Sequence, residues 1–173
     1  MTASDSQHSA GAFDDVLAAN QLYTDTYVDK GLRGQAARGL AVVTCMDSRL
    51  EPLAMVGLTL GDAKIMRTPG GHVTADALTG CVLAAHLLNV DRILIVQHTC
   101  CAVASGDDDA IRRRVSETTG ADLGNLPIGA DPDQRGRIHA DVALLRQHPL
   151  LADRVRVGGF IYDVETSLLE QIT

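Results

Sequence analysis

Short aliphatic runs alternate with longer segments of helical periodicity along most of the chain. The aliphatic runs are short and rich in β-branched residues, as in buried parallel strands, and they lie at residues 39–47, 62–68 and 91–99. Apolar residues at helical spacing predict helices at residues 12–27, 51–58, 74–89, 107–120 and 135–149. Strands that alternate with helices predict an α/β fold with a central, mostly parallel sheet flanked by helices. Residues 154–173 read as strand, turn and short strand, which adds an antiparallel edge strand at the C-terminus.

Individual residues refine the predictions for two of these helices. Thr74 is a candidate N-cap for the helix at 74–89, and the apolar face of that helix comprises Leu78, Val82, Ala85 and Leu88. The first helix carries its apolar residues at Phe13, Val16, Leu17 and Leu22. The polar residues 1–12 before it predict a loose N-terminal arm. Since no repeat or low-complexity linker interrupts the pattern, we expect residues 1–173 to form a single domain.

Composition excludes several classes of function. Aromatic residues make up 3% of the chain and Trp is absent, so a platform for stacking nucleic-acid bases is not expected. The net charge of −7 argues against binding to nucleic acid or to an anionic membrane. No apolar run has the length of a membrane span, and no secretory signal is visible at the N-terminus. The expected compartment is therefore the cytoplasm.

The four cysteines are expected to be thiols rather than disulfides in that reducing compartment. Cys81 lies in an apolar helix and reads as a core residue. Cys45 ends the first strand and is followed by Asp47 and Arg49, in the sequence "CMDSR". His98, Cys100 and Cys101 end the third strand, in the sequence "HTCC". Ligands bind at the carboxyl ends of strands in open α/β sheets, so both strand ends are candidate sites on one edge.

Two thiolates and one imidazole are a ligand set that suits Zn²⁺. Cys45, His98 and Cys101 would supply it, and three protein ligands leave the fourth tetrahedral position open, as in catalytic zinc sites. Asp47 and Arg49 are spaced to meet as a bidentate carboxylate–guanidinium pair. Held in that way, Asp47 would orient a zinc-bound hydroxide; released, it would become a fourth ligand and close the site.

The motifs C-x-D-x-R and H-x-x-C, with the Gly-rich "RTPGG" between them, resemble the β-class carbonic anhydrases, in particular the small bacterial members. The resemblance implies zinc at Cys45, His98 and Cys101, and a catalytic pair of Asp47 and Arg49. It further implies a zinc lyase in which zinc-bound hydroxide attacks CO₂, giving bicarbonate and a proton reversibly. One zinc per subunit, and a homodimer or a dimer of dimers, are also expected from the resemblance.

Departures from the family pattern keep other interpretations open. Ala102 replaces the usual Gly, Cys100 stands where a polar residue is common, and the loop reads R-T-P-G rather than R-N-A-G. These changes leave room for a zinc hydrolase of carbonyl sulfide or carbon disulfide, or for a non-catalytic zinc protein. A thiol redox protein that uses Cys100 and Cys101 is a further alternative, although it lacks a C-x-x-C at a helix start. Gly70 and Gly71 are candidate substrate-pocket residues, and His72 is a candidate proton shuttle at the mouth of the site.

Overall fold

The computed structural model describes residues 11–173, which fall into two compact units that divide between Leu32 and Arg33. The expected arm at residues 1–12 therefore lies almost wholly outside the described residues, and the single domain over 1–173 stays a prediction. In the first unit, α1 spans Asp14–Thr26, as the periodicity predicts. Its apolar residues are exposed, by 65% for Leu17, and Phe13, which precedes the helix, is exposed by 72%. No residue of α1 is buried in the described chain.

The second unit is built on a five-stranded sheet in the order β2-β1-β3-β4-β5. The strands are β1 Leu40–Cys45, β2 Ala63–Thr68, β3 Arg92–His98, β4 Arg156–Tyr162 and β5 Leu169–Gln171. The first four are parallel to their neighbours and β5 is antiparallel to β4, as the sequence predicts. β1 and β3 are central, which explains why their residues are almost continuously apolar.

Three further helices connect and flank the strands, namely α2 Ala75–Leu87, α3 Asp108–Thr119 and α4 Gln134–Gln147. Each begins at a side-chain cap: Thr74, Asp107 and Asp133 accept hydrogen bonds from the first-turn N–H groups. The buried side of α2 centres on Ala77, Cys81 and Ala84. Leu78, Val82 and Ala85 of the predicted face pack at its margin.

The helix predicted at residues 51–58 is wrong in extent. Only Ala54–Val56 form a single 3₁₀ turn, which ends at Gly57 in the left-handed region with φ +70°. Eight residues with a proline near the start and a glycine near the end are too few to sustain a helix without strong packing. The segment therefore serves as a connection from β1 to β2, and it leaves the carboxyl end of β1 uncovered by a long helix.

The last residues of the two central strands lie at the same edge of the sheet. Thr44 of β1 is in register with Val96 of β3, so the ends of both strands, Cys45 and His98, emerge close together. No helix among residues 11–173 combines the length and apolar character needed to cross a membrane.

Candidate metal centre

Cys45, His98 and Cys101 meet in one buried cluster at the carboxyl edge of the sheet. One potential ligand atom from each residue lies within 4.8 Å of the other two. The Sγ atoms of Cys45 and Cys101 are 3.9 Å apart. Two thiolates on a tetrahedral zinc, each with a Zn–S bond of about 2.3 Å, would lie about 3.8 Å apart. The spacing of the sulfurs therefore fits Zn²⁺ without rearrangement of the backbone.

The imidazole of His98 is oriented as a ligand requires. Its Nδ1 lies 2.8 Å from the carbonyl oxygen of Thr99, and in the tautomer that donates this bond Nε2 carries a lone pair. Nε2 is buried and has no hydrogen-bond partner among the described residues. A buried polar atom without a partner is costly, and a metal ion would satisfy it.

The two sulfurs lie within hydrogen-bonding distance of each other. Their contact and their burial raise the pKa of Cys45, whereas the hydrogen bond from Cys45 lowers the pKa of Cys101. For His98, burial opposes the charged form, but contacts with Cys45 and with the carbonyl of Thr99 leave the pKa raised. One thiolate is thus favoured before any cation binds, which suits a site for a thiophilic metal.

Asp47 and Arg49 form a bidentate pair beside this cluster, as their spacing predicts. Nε of Arg49 donates to Oδ1 of Asp47 at 2.9 Å, and Nη2 donates to Oδ2 at 2.8 Å. These hydrogen bonds hold the pKa of Asp47 well below its usual range. Oδ2 lies 3.8 Å from Nε2 of His98, so the carboxylate adjoins the cluster while its charge is directed to Arg49.

Arg67, in the segment "RTPGG", is a site residue that the sequence motifs do not indicate. Its guanidinium donates to the carbonyl oxygens of Cys45 at 3.0 Å, of Leu50 at 3.3 Å, and of Asp47. These hydrogen bonds from Arg67, near the end of β2, hold the turn that contains Asp47 in place. The sequence does contain one indication of this role, because Arg67 is a charged residue one position before the end of a predicted buried strand.

The glycines after β2 approach protein atoms closely. A Cβ on Gly71 would lie 3.0 Å from the carbonyl oxygen of Val96 and 3.1 Å from the backbone nitrogen of Cys45, and one on Gly70 would lie 2.5 Å from Nε2 of His72. Both glycines are buried and have positive φ. Their role as substrate-pocket residues stays a prediction, while their packing against β1, β3 and His72 is direct.

Replacing Gly71 with Ala is expected to destabilise the fold and to displace Cys45. Gly57→Ala is a matched control, because Gly57 has a similar φ of +70° but no atom within 4 Å of its Cβ position. Overpacking should make Gly71→Ala less stable than the control by about 1–3 kcal/mol. Chemical denaturation measures this difference, and equal stability of the two variants would show that the close approach at Gly71 is unimportant.

His72 is buried beneath this turn, at 2% exposure, and not at the mouth of the site. Its Nδ1 is 3.3 Å from Nε2 of Gln97 and 3.9 Å from Oδ2 of Asp141 on α4. Burial, and then the positive charge of Arg137, lower the pKa of His72. A buried, neutral histidine in this position connects the glycine turn to α4, and the proton-shuttle hypothesis loses its geometric basis.

The lowered pKa of His72 predicts that stability falls as the pH falls. Below about pH 6.5 the unfolded chain binds a proton at this histidine more readily than the folded protein does, so the free energy of unfolding decreases. His72→Gln should therefore show a shallower loss of stability between pH 7 and pH 5 than the wild type. His139→Gln, on the exposed side of α4, is the control. Parallel stability curves for His72→Gln and the wild type would refute this explanation.

Comparisons with known proteins identify relatives of this chain. A family model of carbonic anhydrases matches residues 40–126. Beta-carbonic anhydrase 1 of Mycobacterium tuberculosis is 29% identical over 161 residues, covering 92% of this chain and 97% of the relative. A carbon disulfide hydrolase of Acidithiobacillus thiooxidans is 32% identical over 154 residues, covering 76% of each chain.

The similarity extends to solved structures. A carbonic anhydrase from Streptococcus mutans superposes with a TM-score of 0.84 at 32% sequence identity, covering 93% of this chain and 97% of that one. The similarity in sequence and in structure thus covers nearly the whole chain, including the sheet and the ends of β1 and β3 that carry the cluster. The chain belongs to the β-carbonic anhydrase family.

Proposed function

We propose that this protein is a zinc-dependent carbonic anhydrase, which hydrates CO₂ reversibly to bicarbonate and a proton. The observation that carries the proposal is the convergence of Cys45, His98 and Cys101 beside a carboxylate that Arg49 already holds. Three ligands and a restrained Asp47 favour an open fourth position, which a catalytic metal needs and a structural one does not. A non-catalytic zinc module is therefore the weaker interpretation.

Zinc bound by these three residues would supply a water molecule with a pKa lowered to about 7, and hence a nucleophile at neutral pH. The chain's own residues would prepare the reaction. Asp47, ionised and held by Arg49, would accept a hydrogen bond from the attacking oxygen and so direct its lone pair. Partly buried apolar side chains pack around the cysteines, including Val103, Tyr162 and Val164, and favour an uncharged substrate such as CO₂.

Exchange of ¹⁸O from labelled CO₂ into water, followed at chemical equilibrium, tests the proposed reaction in both directions. Protein loaded with one zinc per chain should accelerate the loss of label well above the buffer rate. The same protein stripped of metal should fall to the buffer rate and recover when zinc is restored. Absence of acceleration by a fully zinc-loaded preparation would reject the proposal.

Hydrolysis of a CO₂-like substrate is the second candidate. It is favoured by the carbon disulfide hydrolases among the relatives and by the substitutions at Cys100 and Ala102, next to the second cysteine ligand. Carbon disulfide or carbonyl sulfide would present a similar linear, apolar molecule to the same site. Release of hydrogen sulfide from either compound, faster than hydration of CO₂ by the same preparation, would assign this function instead.

We further propose that the protein acts as a homodimer or a dimer of dimers, with residues 1–173 of each subunit forming one domain in the cytoplasm. The support is the family and the exposed apolar residues of α1, since a helix with so much exposed apolar surface needs a partner. A second copy of this chain is the partner that a homo-oligomeric family implies.

The double variant Phe13→Ser/Leu17→Ser is expected to weaken the dimer by at least about tenfold, since each side chain is more than half exposed in the single chain. Analytical ultracentrifugation measures the dissociation constant. Ala18→Ser/Ala19→Ser, on the same helix, is the control for helix propensity. An unchanged dissociation constant for the Phe13/Leu17 variant would place the interface elsewhere.

A further inference from the structure

Cys100 lies between the candidate ligands His98 and Cys101 in the sequence. Neither the family motif nor the metal cluster gives this residue a role. It is exposed, and its thiol lies outside the group formed by Cys45, His98 and Cys101. Its backbone has φ +55°, in the left-handed region that residues other than glycine seldom occupy. Such strain near a site persists only where the surroundings impose it.

The left-handed conformation directs the carbonyl group of Cys100 towards Arg49. The carbonyl oxygen accepts a hydrogen bond of 3.0 Å from Nη2 of Arg49. The same nitrogen donates to Oδ2 of Asp47 at 2.8 Å. Nη2 of Arg49 is thus held from two sides, by the carboxylate and by the backbone of the turn that leads into the ligand Cys101.

The fold fixes the position of this turn independently of the Cys100 thiol. The backbone N–H of Thr99 donates to the carbonyl oxygen of Tyr162 at 2.9 Å, and Oγ1 of Thr99 accepts from the backbone N–H of Val164 at 3.1 Å. The end of β4 therefore anchors the residue before Cys100. The carbonyl oxygen is therefore presented to Arg49 by the left-handed backbone at position 100 and not by the thiol.

We propose that Cys100 is a positioning residue, whose carbonyl group in the left-handed turn holds Arg49 and thereby keeps Asp47 away from the fourth position on the metal. This inference rests on the proposed zinc site. Oδ2 of Asp47 is already 3.8 Å from the ligand atom of His98, so a small displacement would bring it onto the metal. The hydrogen bonds of Arg49 to Asp47 and to the carbonyl of Cys100 then keep the fourth position open to an outside ligand. Loss of either bond would favour the closed site.

Binding of thiocyanate to the cobalt-substituted protein, followed by its visible spectrum, tests this proposal without relying on CO₂ hydration. Cys100→Val is the informative variant, because a β-branched residue is strongly disfavoured at φ +55° and should move the carbonyl group. Its dissociation constant for thiocyanate should rise by about tenfold, as Asp47 competes for the metal. Cys100→Gly, which adopts positive φ freely, should restore tight binding.

The outcomes separate this proposal from its alternatives. Wild-type affinity in Cys100→Val would overturn it, and so would equal weakening in Cys100→Gly and Cys100→Val, which would assign the effect to the lost thiol. Cobalt content and melting temperature, measured for each variant, identify a Val variant that has lost its fold, and Cys100→Thr then provides a second β-branched test. Failure of CO₂ hydration with the predicted thiocyanate pattern would reject the enzyme activity alone.

Discussion

Alanine at Cys45, His98 or Cys101 is expected to remove stoichiometric zinc and, with it, CO₂ hydration. Each residue contributes one of three buried ligand atoms within 4.8 Å of one another, so no remaining pair can hold the metal in a catalytic geometry. The loss of zinc affinity should exceed the ~10–100-fold that follows removal of a group that only supports a ligand. Metal analysis after dialysis, with activity measured on the same samples, checks this expectation.

Cys81→Ala is the matched control for these ligand variants. Cys81 is also fully buried, but it lies on α2 among aliphatic side chains, where burial raises the pKa of its thiol to about 12. This variant should lose stability through a small cavity and keep one zinc per chain. Full zinc content in Cys101→Ala would contradict the site and would revive a redox role for Cys100 and Cys101.

Arg49→Ala is expected to lower CO₂ hydration by about 100-fold or more while zinc is retained. Without the Arg49 side chain, Asp47 loses both hydrogen bonds from the guanidinium, keeps only the one from the backbone N–H of residue 49, and remains next to His98. Its negative charge then favours the metal, and the open position closes. Stopped-flow measurement of kcat/KM, together with metal analysis, distinguishes this closure from simple loss of zinc.

Asp47→Asn gives the complementary result to Arg49→Ala. The amide can neither serve as an anionic ligand nor direct the attacking oxygen as a carboxylate does, so activity should fall while the open position remains accessible to anions. Arg113→Ala, an exposed arginine on α3, is the control for the loss of one positive charge. A wild-type rate for Arg49→Ala would show that the Asp47–Arg49 pair is structural.

The sequence predicts the sheet and the three candidate ligands well, because both depend on local pattern. Aliphatic runs specify β1 and β3, and parallel strands necessarily bring Cys45 and His98 to one edge. The C-x-D-x-R spacing likewise predicts the bidentate pair, since Asp47 and Arg49 are two residues apart on one turn.

Contacts between distant segments are not predictable in this way. Arg67 reaches three carbonyl groups of the turn after β1, and His72 is buried against Asp141 of α4, sixty-nine positions later in the chain. Neither contact leaves a periodic signal, because each depends on how a turn packs against another element. The left-handed backbone of Cys100 is equally unpredictable from the sequence, since cysteine has no preference for positive φ.

Stopped-flow CO₂ hydration by one zinc-loaded preparation, at neutral and at alkaline pH, is the decisive test of the proposed enzyme activity. With Asp47 held by Arg49, we expect hydration far above the buffer rate at both pH values, and faster than hydrogen sulfide release from carbon disulfide. Alkaline pH matters because a site closed by Asp47 would be silent only near neutrality. No hydration above buffer at either pH, with one zinc bound per chain, would show that this protein is not a carbonic anhydrase.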